Sequence, residues 1–159
     1  MAHLTHLRET DPELFGAEIP IMGNIGDQQA GLFGQGYYGV GEYLHELKQL
    51  NEETPWRRTW QTGIRGVTYP THSLGPLLDW LGCDRVASVS CVGTGSHHDD
   101  PRGNAYHDDS ATMTCRLSSG GMAQIRVDMI SDRPHAMTNY QLQGTDAAYE
   151  SSRGGSDDS

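Results

Sequence analysis

Two tyrosines, two histidines and an arginine stand in three short runs: Glu42-Tyr43-Leu44-His45, Trp56-Arg57-Arg58 and Tyr69-Pro70-Thr71-His72. Phenol and imidazole groups give or take protons, and a guanidinium adds a fixed charge with a fork of donors, so the set suits a ligand rich in hydroxyls. If the first run is a strand, Tyr43 and His45 share a face, because side chains alternate with a period of two. Tyr69 and His72 fall where an irregular segment runs into a helix, a place where side chains can meet a polar ligand. The same residue types also serve as amphipathic fillers at a sheet edge, and Arg57 has Glu52 and Glu53 nearby as ion-pair partners. Spacing alone names no reaction.

Two other runs have a chemical look. Gly34-Gln35-Gly36-Tyr37-Tyr38-Gly39 matches the dinucleotide fingerprint in form. That motif must follow a strand and open a helix, so that glycines and a helix end can approach a pyrophosphate. Here the order is reversed, with helix-like text before and strand-like text after. The run reads as a glycine-lined turn, and no cofactor-binding residue is assigned. His97-His98-Asp99-Asp100 and His107-Asp108-Asp109 carry metal-ligand chemistry. Pro101, Gly103 and Asn104 between them are turn formers, as a solvated loop between strands requires, so no metal is assigned.

The elements that must position these groups follow from pattern. Tyr37, Tyr38, Val40, Tyr43 and Leu44 predict a strand over 37–46. Residues 51–66 read as a loop with a helical turn at most. Leu74, Leu77, Leu78 and Leu81 recur at helical spacing, with Thr71 or Ser73 as N-cap and Gly82 to close the end. Strands are expected at 85–92, 111–117, 122–130, 139–143 and 148–151, with a hairpin turn at Ser118-Ser119-Gly120-Gly121. The fold class is therefore α+β: a mostly antiparallel open sheet with one or two helices on one face, and no complete Rossmann domain. Residues 1–30 form an arm or helical remnant, and 156–159 a polar tail. Arg126 and Asp128 alternate with apolar neighbours and fall on a strand's polar face.

Composition sets limits. With 159 residues there is room for one domain, and the net charge of −10, without a basic run, excludes nucleic acid and anionic membrane surfaces as partners. Hydrophobic residues make up 35%, against 20 glycines and 7 prolines, so the core is lean and the loops are long. A lean core of this size gains from support by another domain or subunit. No apolar run reaches the roughly 20 residues of a membrane span. The opening lacks an apolar leader, and the expected location is cytoplasmic. Cys83, Cys91 and Cys115 are odd in number and lack a CxxC spacing, so they are expected to be reduced core residues.

The pieces EYLH, YPTHSLGP, SDRPH and YQLQGT, taken together, resemble the substrate-binding domain of the glucose-fructose oxidoreductase, inositol dehydrogenase and rhizopine-catabolism (Gfo/Idh/MocA) family, over residues 31–155. The resemblance implies an NAD(P)-dependent oxidoreductase acting on a sugar or polyol. NAD or NADP would be held by a Rossmann domain in cis or in trans that this sequence does not contain. It also implies a sheet that continues past this segment, hence a truncated domain inactive by itself, and homo-oligomers formed through the sheet face. By that resemblance His72 and Tyr69 are the proton-transfer candidates. Tyr43, His45, Arg57, Arg133 and His135 line the substrate pocket, and Arg57 could lower the pKa of a catalytic tyrosine. Dehydrogenase members often carry an Asp four residues before the His, where this chain has Thr68. The Tyr-Pro-Thr-His form is similar to the NAD-dependent glycosidase branch, in which transient oxidation acidifies a neighbouring C–H. A non-catalytic sugar-binding or oligomerisation module is the remaining alternative.

Overall fold

The computed structural model describes residues 33–82, 84–132 and 136–151. The expected arm at 1–30, the tail at 156–159, Cys83, Arg133 and His135 lie outside the described residues. In chain order the elements are β1 (Gly36–Leu44), α1 (Lys48–Glu53), α2 (Pro55–Trp60), α3 (Thr71–Trp80), β2 (Val86–Gly93), β3 (Ser110–Leu117), β4 (Met122–Asp128), β5 (Ala136–Gly144) and β6 (Ala148–Glu150). The strands form one sheet in the order β2-β3-β4-β1-β5-β6. β1 runs parallel to β4, and every other neighbouring pair is antiparallel. The α+β class and the mostly antiparallel sheet are as the pattern predicts.

Alternation builds the core. Ala111, Met113, Cys115 and Leu117 on β3 and Ala123, Ile125 and Val127 on β4 point to the same buried face, where α3 lays Leu77 and Leu81 over them. The opposite face carries Thr112, Thr114, Gln124, Arg126, Glu42 and Gln141, none of them buried. The β3–β4 hairpin turns at 118–121 as expected. There Gly120 takes φ 95°, a left-handed conformation that an L side chain rarely adopts.

Three expectations need correction. Residues 51–66 hold α1 in part and all of α2 rather than a loop with one helical turn. Helices of six residues are too short to show a periodic stripe, and Pro55 at the start of α2 marks a helix entry as well as a break. The N-cap of α3 is Pro70, without a side-chain cap bond, in place of Thr71 or Ser73. Cys115 is buried, but Cys91 is exposed. Cys91 stands opposite Met113 on the core-side face of edge strand β2, while α3 packs on β1, β4 and β5 and leaves that edge uncovered.

Candidate functional site

The site begins with how closely α3 lies on β1. Gly39 and Gly41 occupy the helix-facing positions of the strand. An added Cβ at Gly41 would meet the Ser73 backbone oxygen at 2.8 Å, and one at Gly39 would meet Leu77 Cδ2 at 2.9 Å. Two residues further on, the same face carries Tyr43, which is buried beside the first turn of α3 where His72 stands. His45 follows just past the strand's end. The sheet still holds it, since its N–H donates to the Asp128 carbonyl at 2.9 Å. On the other side, the Thr68 hydroxyl donates to the Gln61 carbonyl at 2.6 Å, and the Pro70 carbonyl receives the Ser73 and Leu74 amides at 2.9 and 2.7 Å. These bonds fix Tyr69 and His72 at the helix entry.

Four rings from two segments meet there, Tyr43 and His45 from one and Tyr69 and His72 from the other. Tyr43 and His72 stack at 5.1 Å between centroids, 19° from parallel. Tyr69 stands edge-on to both, at 5.5 Å from Tyr43 and 5.2 Å from His72. Tyr43 Oη lies 3.0 Å from His45 Nδ1, and Tyr69 Oη lies 3.2 Å from His72 Nε2. The cluster is graded in exposure: Tyr43 is buried, Tyr69 and His45 half-buried, and His72 exposed. A hollow of about 270 Å³ beside His45 is lined further by Glu46, Gln49 and Glu53.

Electrostatics assign Tyr43 its form. Burial pushes its pKa up, the neighbouring Tyr69 adds to that, and the Arg57 guanidinium pulls the other way without prevailing. Tyr43 is therefore a neutral phenol at physiological pH. With the His45 proton on Nε2, the Tyr43 O–H donates to Nδ1.

Arg57 itself lies over the Trp56 ring at 4.5 Å and donates to Gln61 Oε1 at 2.9 Å. Its neighbour Arg58 takes the acidic partner expected of Arg57: Arg58 pairs with Glu52 at 2.9 Å and with the buried Asp100. On a helix, adjacent side chains point about 100° apart, so a run read as loop cannot say which arginine faces which way. One aromatic residue that the sequence reading passed over, Tyr140 of β5, also reaches the cluster: its hydroxyl donates to the His72 carbonyl.

The two other runs have structural work. Asp108 accepts from the Gly66 amide at 2.7 Å and the Gly95 amide at 2.9 Å, while Asp109 accepts from the His97 amide at 2.9 Å and His98 Nδ1 at 2.8 Å. These acids fasten the long β2–β3 loop. Among the described residues no group of three or more His, Cys, Asp or Glu side chains is arranged to hold a metal ion. The glycine run makes room for α3, because an added Cβ at Gly36 would meet Leu81 Cδ2 at 3.0 Å, as Gly39 meets Leu77. That geometry does not fit a pyrophosphate cradle. No described helix is long and apolar enough to cross a membrane.

Known proteins resemble this chain at two levels. No protein-family model matches it. In sequence it is 33% identical, over a 141-residue alignment covering 76% of this chain and 30% of the relative, to a glycosyl hydrolase family 109 protein of Saccharopolyspora erythraea. It is 28% identical to an alpha-N-acetylgalactosaminidase of Shewanella oneidensis, covering 75% of this chain and 30% of that protein. In fold it resembles a levoglucosan dehydrogenase solved with NADH and levoglucosan, with a TM-score of 0.59 and 16% identity, over 79% of this chain and 35% of that one. A UDP-N-acetylglucosamine 3-dehydrogenase from Acidithiobacillus ferrooxidans gives a TM-score of 0.54 at 22% identity, over 77% of this chain and 34% of that one. This chain thus spans about 30% of the length of those sequence relatives. The matches place it, in sequence, with a segment of the glycosyl hydrolase family 109 proteins and, in fold, with the Gfo/Idh/MocA-type dehydrogenases, the resemblance that its YPTHSLGP, SDRPH and YQLQGT pieces carry.

Proposed function

We propose that this chain is the sugar-facing part of an NAD(P)-dependent enzyme acting on a sugar or polyol. The observation that supports the reading is the convergence of Tyr43, Tyr69 and His72 into one ring cluster, graded from buried to exposed, at the entry of α3. A hydroxyl-rich ligand needs donors and acceptors fixed in place, with one group able to hold a proton in transit. The Tyr69–His72 pair, joined through Oη and Nε2, is such a relay: a hydroxyl placed beside it hands its proton to Tyr69 Oη as Tyr69 passes its own proton to His72 Nε2, which leaves a neutral phenol and an imidazolium. Tyr43, kept neutral, orients the relay by its stack on His72. His45 and Arg57 bind neighbouring hydroxyls, and Arg133 and His135 are assigned the same task from the SDRPH run.

NAD or NADP supplies hydride exchange with the sugar carbon when bound. The described residues offer it no pyrophosphate cradle, so its place is in a Rossmann domain joined in cis or in trans. Of the two reactions open to such an enzyme, glycoside cleavage is favoured over simple dehydrogenation by the family 109 relatives, and both ask the same proton transfer of Tyr69 and His72.

Joining this chain to the nucleotide-binding region of a family 109 relative tests the proposal. The hybrid is expected to release the aglycone from an aryl α-N-acetylgalactosaminide in the presence of NAD, or to reduce NAD with a free sugar. His72→Ala is expected to lower kcat at least about 100-fold, the lower range for removing a proton-transfer group. An unchanged rate in that variant overturns the assignment.

A further inference from the structure

In an α-helix each carbonyl accepts from the N–H four residues later. For His72 that residue is Pro76, which lies inside α3 and has no N–H to give. The proline ring also crowds the carbonyl four residues before it and tilts it away from the helix axis. The His72 carbonyl therefore loses its internal partner on the turn that carries the imidazole. A carbonyl freed in this way is open to another donor, from the protein or from water.

The partner comes from across the sheet. Tyr140 lies opposite Gly41 on β5, and because position 41 has no side chain, the phenol can cross the strand and reach the helix. Its hydroxyl donates to the His72 carbonyl, and its ring stands edge-on to Trp80, two turns further along α3, at 4.8 Å between centroids. Burial raises the Tyr140 pKa, against a smaller pull from the Thr138 hydroxyl, so the oxygen carries the proton it donates.

We infer that Tyr140 is a positioning residue for His72: its hydroxyl replaces the bond that Pro76 removes and so fixes the backbone from which the imidazole projects onto Tyr43 and Tyr69. The inference deepens the proposed function and rests on His72 as the proton-transfer group. The contact itself is a property of the chain alone and can be read without any reaction.

The experiment is a double-mutant cycle on the full chain. Tyr140→Phe keeps the ring on Trp80 and removes only the hydroxyl. It is expected to quicken hydrogen exchange at the Ser73 and Leu74 amides about fivefold, the factor that one net hydrogen bond carries, and to weaken the nuclear Overhauser contacts between the His72 ring and those of Tyr43 and Tyr69. Pro76→Ala in the same chain returns an N–H to the His72 carbonyl, so the double variant is expected to recover both slow exchange and ring contacts. Unaltered His72 ring contacts in Tyr140→Phe overturn the inference, as does a double variant that fails to recover them. If Tyr140→Phe alone does not fold, the double variant still decides, since the inference requires it to fold with the contacts intact. In the hybrid enzyme described above, the cycle is expected to appear as a fall in kcat, with KM little changed, that Pro76→Ala restores. A His72→Ala variant with unaltered turnover would count against the proposed function while leaving the exchange cycle to stand or fall by itself.

Discussion

A phenol changes character with its depth. Tyr43, Tyr106 and Tyr140 are each pushed above the ordinary tyrosine pKa chiefly by burial. A raised folded-state pKa means that the folded chain holds the proton more tightly than the unfolded chain. The resulting stability is complete below the unfolded value of about 10 and is lost as pH rises through the folded values. Phenolate absorbance is therefore expected to show these tyrosines ionising late and together with loss of structure, and Tyr43→Phe to make the alkaline fall in stability shallower. A normal, uncoupled titration of all the tyrosines would contradict this. At this scale the sequence was informative where neighbours are local. The two-residue step from Tyr43 to His45 and the three-residue step from Tyr69 to His72 each put a pair within bonding distance. It was uninformative where contact depends on distant chain, as with Tyr140 against His72, although a proline four residues after a candidate histidine was a readable sign that the His72 carbonyl would need a donor from elsewhere.

Among the elements, α3 and β1 decide the site together. The distance between them is set by missing side chains, since at Gly41 an added Cβ meets the rigid backbone of Ser73 and at Gly39 the movable end of Leu77. Gly41→Ala is accordingly expected to destabilise by about 1–3 kcal/mol, the range for overpacking, and to part His72 from Tyr43. Gly39→Ala should cost less, because a leucine methyl can swing aside. Denaturant unfolding of the two variants checks the order, and equal costs would mean that the helix shifts as a whole. The strands were legible from alternation and α3 from its leucine spacing. α1 and α2 were not, because six residues are too few for a stripe and the residue buried in α1 is the polar Asn51. Fastening by Arg58, Glu52 and Asp100 holds that region instead.

For the whole molecule, the sheet has one face covered by α3 over β1, β4 and β5, and one polar, open face. On the open side Tyr38 donates to Gln124 at 3.3 Å and Arg126 to the Ser110 hydroxyl at 3.2 Å, so part of this surface is knit by its own side chains. We propose this face as the contact between copies of the chain. Light scattering is expected to give about twice the 17.4 kDa mass, and Thr114→Arg, near the centre of the face, to return the monomer mass. A monomer at every concentration would remove the proposal. Strand order was the part of the architecture that pattern could not supply. Alternation marks each strand, but nothing local says that β1 will lie between β4 and β5, since that choice is made by burial of Gly39, Gly41 and Tyr43 under α3. The central place of β1 also sets a timetable for synthesis. Tyr38 and Gln124 are 86 residues apart. At a ribosomal pace of about 5–20 residues per second, β1 waits on the order of ten seconds for either neighbour, with both rows of amides and carbonyls unclaimed, so a nascent chain of this kind is most open to mispairing, and most in need of a chaperone, before its fourth strand has left the exit tunnel.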